Sequence, residues 1–113
     1  MGQLSALILT LVIESIVALT ILRLTGWASD RSWTSKLGIV CAASLITHPF
    51  AWYLIVEFRS WAASFWVRAI PVELALTVAE GLLYAWILPV RRWQGLALSL
   101  AANGTSFGYG VLL

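Results

Sequence analysis

An all-α bundle of four membrane-crossing helices is the fold class this 113-residue chain predicts, and three observations carry the prediction. The chain is 61% hydrophobic and only 11% charged, too little polar surface to enclose a water-soluble core of this size. Its apolar residues come in runs of membrane-spanning length, with a mean hydropathy of +0.92. Each run also carries a strongly polar residue close to its centre.

The first run, 4–22, holds 12 Leu, Ile and Val residues around a single charge, Glu14. Each of the twelve favours insertion by about 0.3–0.6 kcal/mol, against about 2.5–3.5 kcal/mol for one central charge, so insertion wins. A permanent helix is expected rather than a cleaved signal, because no basic segment precedes the run and a mid-run Glu is foreign to a signal core. The second run, 37–58, is interrupted only by His48-Pro49 and closed by Glu57. The third is expected to start at Pro71, a favoured first helical position, and to run to 90 with Glu73 and Glu80 on it. The fourth is 96–113. Only 34 residues remain for the N-terminal residues and the three connections, which leaves room for one membrane domain and no aqueous one.

The short third connection makes helices three and four an antiparallel hairpin. Connections one and three hold Arg23, Arg31, Lys36, Arg91 and Arg92, and the opposite side has Arg59 and Arg68. The positive-inside rule then puts both termini outside the cytoplasm of a cell (inner) membrane. These basic residues are dispersed between apolar runs, so the net charge of +2 is a topology signal and calls for no nucleic-acid partner. Trp27, Trp33, Trp61, Trp66 and Trp93 fall in or beside the connections, where an indole anchors at headgroup depth. A lone Cys41 allows no internal disulfide.

The span centres bring Glu14, His48, Glu80 and Asn103 to one depth, one from each helix. A charge facing acyl chains has no partner, so the four should converge inward as candidates for proton or ion binding. Spacings of four, three and four place Glu73, Thr77, Glu80 and Tyr84 on one face of helix three, and Ser99, Asn103 and Ser106 form a like face on helix four. Ser44 shares a face with His48, and Pro49 frees the carbonyl of Leu45 beside them. Glu57 and Glu73 are expected near the outer surface, neutralised by Arg59 or Arg68. Gly104 and Gly108 form a small-xxx-small pair for packing within the bundle or between subunits.

One His and two carboxylates are compatible with a divalent cation, but no local ligand spacing selects a metal, and no cofactor is indicated. Phosphate-binding, dinucleotide-binding and nucleophile-elbow motifs are absent from the sequence. A Ser44–His48–Glu trio is the one arrangement that would suit an intramembrane hydrolase.

Thr47-His48-Pro49, Glu73 with Glu80-Gly81-Leu82-Leu83-Tyr84, and Ala102-Asn103 with Ser106-Phe107-Gly108 together resemble a group of small uncharacterised bacterial membrane proteins, in which Asn often stands in place of His48. The resemblance covers helices two to four and implies the same architecture and polar layer. In length, helix number and an embedded Glu in helix one, here Glu14, the chain also resembles the small multidrug resistance transporters. That likeness implies a dimeric, proton-coupled transporter. Two classes of function therefore stand beside each other. One is proton- or cation-coupled binding or transport by the polar layer. The other is an accessory subunit whose polar layer specifies a homo-oligomer or a larger membrane complex. The lipid bilayer is a partner in either.

Overall fold

The computed structural model describes residues 2–58 and 60–112. It contains four helices, α1 (Gln3–Thr25), α2 (Trp33–Trp52), α3 (Phe65–Ile87) and α4 (Arg92–Leu112), with no strand among the described residues. Each helix touches its two neighbours in the order α1–α2–α3–α4–α1, and the diagonal pairs do not meet. The result is a four-cornered bundle with extents of 45 × 25 × 20 Å, longer than the ~30 Å hydrocarbon layer.

Local signals outside the apolar runs set the helix ends. α1 continues past Leu22 until Gly26, whose φ of 72° is left-handed and whose N–H donates to Leu22 O at 3.0 Å. Ser32 caps α2 by accepting from Ser35 N at 3.1 Å, so that helix starts a turn before Leu37. Gln94 accepts from Arg91 N at 2.8 Å and opens α4 at Arg92 instead of residue 96.

The expected start of helix three at Pro71 is overturned. α3 begins at Phe65 and carries Pro71 inside it. Tertiary packing overrides the start signal, because Phe65 and Trp66 both lie against Phe107 of α4, at 6.4 and 6.1 Å between ring centroids. In α2, Pro49 has no N–H for Leu45 O, and the chain beyond it relaxes into a π-helical turn, Tyr53–Glu57, closed by Phe58 N to Tyr53 O at 2.6 Å.

Three helical segments are long and apolar enough to cross a membrane: Gln3–Thr25, Trp33–Glu57 and Phe65–Ile87. α4, more polar, packs between α1 and α3. The bundle is apolar outside and buries a layer of polar side chains within. Leu4, Ile8, Val12 and Ile16 form an exposed stripe on α1, as do Leu74, Val78 and Leu82 on α3, while Glu14, Ser44, Glu80, Ser99 and Asn103 are buried. Such an inversion suits hydrocarbon as the surrounding solvent and marks a membrane protein.

The α3–α4 hairpin is the most intimate pairing. A Cβ on Gly95 would collide with the carbonyl oxygen of Gly81, and one on Gly81 would lie 2.8 Å from Leu96 Cα. These two glycines bring the backbones together. Gly104 and Gly108, expected to pack within the bundle or between subunits, are exposed, and a Cβ on either would meet nothing within 4 Å. They take no part in packing inside the bundle.

Candidate functional site

The bundle interior divides at the depth of Glu14 and Glu80. On the side of the first and third connections, Ala18, Leu22, Val40, Ala43, Tyr84, Leu88 and Leu98 form a closely packed apolar plug. Toward the end that holds the chain termini, the helices instead surround a cavity of about 340 Å³. Its walls include Glu14, His48, Glu80 and Asn103 at the inner end, and Phe65 and Val111, both exposed, at the outer end. The carboxylates therefore form the floor of a cavity that reaches one end of the bundle only.

Glu14 and Glu80 are each 2% exposed, and every one of their oxygens has a hydrogen-bond donor. Ser44 Oγ donates to Glu14 Oε2, and Ser106 Oγ lies 3.3 Å from Glu14 Oε1. Thr47 Oγ1 donates to Glu80 Oε1, and Asn103 Nδ2 donates to Glu80 Oε2 at 2.8 Å. Asn103 Nδ2 also reaches Ser99 Oγ at 3.0 Å, and Ser99 Oγ donates to Thr77 O at 2.7 Å. All four helices are thus joined through two carboxyl groups. Hydrogen bonds to a charged acceptor are the strong class.

Two of these donors have a choice. Thr47 Oγ1 lies 3.0 Å from Ala43 O as well as against Glu80, and Ser106 Oγ lies 3.3 Å from Asn103 O as well as near Glu14. Each hydroxyl has one hydrogen. It can turn to the carboxylate, or turn to the backbone and accept from a protonated carboxyl.

His48 lines the cavity beside this layer, and its buried Nε2 has no hydrogen-bond partner. The Ser44–His48–Glu trio is not assembled, since Ser44 gives its hydrogen to Glu14 directly. Tyr84, completely buried, also has a hydroxyl without a partner and lies within electrostatic reach of Glu80 and Glu14 on the plug side. No group of three His, Cys, Asp or Glu side chains that could hold a metal ion occurs among the described residues.

Glu73 is the charge expected near the outer surface and neutralised by Arg59 or Arg68. It is half-buried, lines the cavity, and is electrostatically coupled to Glu80. Arg68 does not neutralise it, because Arg68 Nε donates to Ile55 O at 2.9 Å and Nη1 to Ala62 O and Ala63 O at 2.6 and 3.0 Å. The guanidinium is consumed in tying the end of the π-helical turn to the start of α3. Glu57 accepts from Trp52 Nε1 at 3.1 Å. Arg59, the other expected partner, lies outside the described residues.

Sequence reasoning did not single out Thr47 as a ligand of Glu80. The available signal was its spacing of three from Ser44, which puts the two hydroxyls on one side of α2.

Comparison with protein-family models, curated proteins and solved structures gives no match.

Proposed function

We propose that this chain is a small multi-pass membrane protein that binds protons or a cation at the Glu14–Glu80 pair and couples their movement across the bilayer. The single observation that carries the reading is the pair's position on the floor of a one-ended cavity, backed by an apolar plug. A purely structural network gains nothing from a cavity, whereas a transport site needs access from one side and a barrier on the other.

The hydroxyl rotors support protons as one of the coupled species. When Glu80 carries a proton it donates to Thr47, whose own hydrogen then satisfies Ala43 O, and when Glu80 is ionised Thr47 turns back. Ser106 exchanges Asn103 O for Glu14 in the same way. Both protonation states are therefore accommodated without leaving a buried polar group unpaired. With five basic residues on the plug side and two on the other, the cavity faces the extracytoplasmic side and the plug the cytoplasm.

Reconstitution into vesicles enclosing a pH-sensitive dye tests this reading. Glu14→Gln and Glu80→Gln keep side-chain shape and much of the hydrogen bonding. Each is expected to lower proton or cation flux by at least about tenfold, which corresponds to ~1.4 kcal/mol on the barrier, with helicity and elution volume unchanged. Flux equal to the unmodified protein in both variants defeats the proposal. The second reading, an assembly subunit, is favoured by the exposed Gly104 and Gly108, which leave a flat strip of α4 open to a second transmembrane helix.

A further inference from the structure

We infer that the plug end of the bundle carries a binding site for the phosphate of an anionic phospholipid, built from Lys36, Arg23 and the first turn of α2. Lys36 is 3% exposed, yet among the described residues its ammonium has neither an ion pair nor a hydrogen-bond acceptor. Its one ring contact is the face of Trp33, whose centroid lies 4.1 Å from Nζ. An indole face attracts the cation but leaves its three hydrogens without an oxygen to receive them. Among the described residues the fully enclosed side-chain atoms without a partner are His48 Nε2 and Tyr84 Oη, so Lys36 Nζ, also unpartnered, keeps contact with the outside. A charge on so enclosed a side chain calls for a counter-charge, and here it has to come from beyond the chain.

The position of the ammonium fits an anion. Trp33 is the first residue of α2, and Lys36, three residues on, lies back over it, the usual lean of helical side chains toward the N-terminus. Ser32 Oγ accepts from Ser35 N, but the N–H groups of Trp33 and Thr34 have no preceding carbonyl within the helix, and the helix dipole puts its positive end there. On the facing helix, exposed Arg23 shares a shallow cleft with Leu19, Thr20 and Trp33. Both cations therefore border Trp33, and among the described residues neither is paired with a carboxylate. The oxygens of a phosphate suit the ammonium, the guanidinium and the helix N-terminus together.

The surroundings select a lipid over a phosphate ion from solution. Toward the middle of the bundle, Ile16 lies one turn from Leu19 on α1 and Leu37 one turn from Trp33 on α2, and both are exposed. They continue the site as an apolar track on the outer surface, where acyl chains run. Basic groups between helices near the headgroups are a recurring means of holding anionic lipids.

The test titrates the detergent-solubilised full-length chain with phosphatidylglycerol and, separately, with phosphatidylcholine of the same acyl chains, counting retained lipid by native mass spectrometry. Phosphatidylglycerol is expected to bind at least about tenfold more tightly. Lys36→Gln and Arg23→Gln are each expected to reduce that preference about fivefold, the measure of one basic residue near an anionic headgroup. Arg92→Gln, at the same end but outside the cleft, is expected to change it by less than about twofold. Arg23→Gln, at an exposed position, keeps the test decisive should Lys36→Gln fold poorly. Equal binding of the two lipids, an undiminished preference in the folded variants of Lys36 and Arg23, or equal losses in all three variants, the mark of a diffuse basic surface, overturns the inference. So does displacement of phosphatidylglycerol by inorganic phosphate at about 10 mM, which makes the occupant a free anion.

Discussion

Asn103 bridges α4 to Glu80 of α3 with one amide hydrogen and reaches Ser99 with the other. Replacing it with Leu leaves Glu80 Oε2 without its protein donor. Interhelical hydrogen bonds in membranes average about 0.6 kcal/mol and reach about 1.7. The buried acceptor here puts Asn103→Leu near the upper figure, about 1.5 kcal/mol, measurable as a lower midpoint in detergent-mixture unfolding. A change under about 0.3 kcal/mol would show that Thr47 alone satisfies the carboxyl.

At this scale the depth of a residue was readable from the sequence, and its rotation about the helix axis less so. Counting from the apolar boundaries brought out Glu14, Glu80 and Asn103, because insertion energetics fix depth. Thr47 escaped because His48, its neighbour 100° around the helix, drew the assignment for that turn of α2. Glu73 was read as an interfacial charge, and its place on the cavity wall was not foreseen. With the helix beginning at Phe65, Glu73 lies more than two turns inside it and points into the cavity.

Among the elements, the α3–α4 hairpin is the most rigidly joined and α2 the most irregular. Gly95→Ala places a methyl group against the backbone of Gly81, which should destabilise the protein by about 1–3 kcal/mol, as overpacking does. Gly104→Ala should leave the stability of the isolated chain within about 0.5 kcal/mol, since the added methyl meets nothing. Chemical unfolding of the two variants side by side checks the contrast, and equal losses would contradict the described packing. The close pair was hidden in the sequence because its glycines lie on different helices, whereas Gly104 and Gly108 carry a familiar local spacing with no partner in this bundle. Pro49 announced a break in α2, but the hydrogen bond by which Arg68 of α3 holds the Ile55 carbonyl in the π-helical turn that follows is a contact made across elements.

For the whole molecule, hydropathy and span length were enough to call an all-α bundle, since the bilayer permits few alternatives to a helix. The division of its interior into a plug and a cavity was not legible, because how closely the apolar residues of each half pack depends on side-chain shape. That division predicts a labelling pattern. In a Cys41→Ala background, Ala6→Cys on the cavity wall should react with a membrane-impermeant thiol reagent added outside intact cells, and Ala18→Cys in the plug should not. Labelling of the first only after the membrane is opened would reverse the orientation, and equal labelling of both would remove the plug.

The one-ended cavity also has an electrical consequence. Filled with water, it conducts, and little of the resting voltage falls along its length. The voltage drops instead across the thin layer occupied by Tyr84, Leu88 and Leu98. On the proposed reading, a charge leaving Glu14 or Glu80 for the far side traverses nearly the whole field over about 12 Å, worth about 2.3 kcal/mol per 100 mV. On the same reading the two carboxyl groups border the layer that carries most of the membrane potential, so the energised state of the membrane acts almost undiminished on a charge that leaves them.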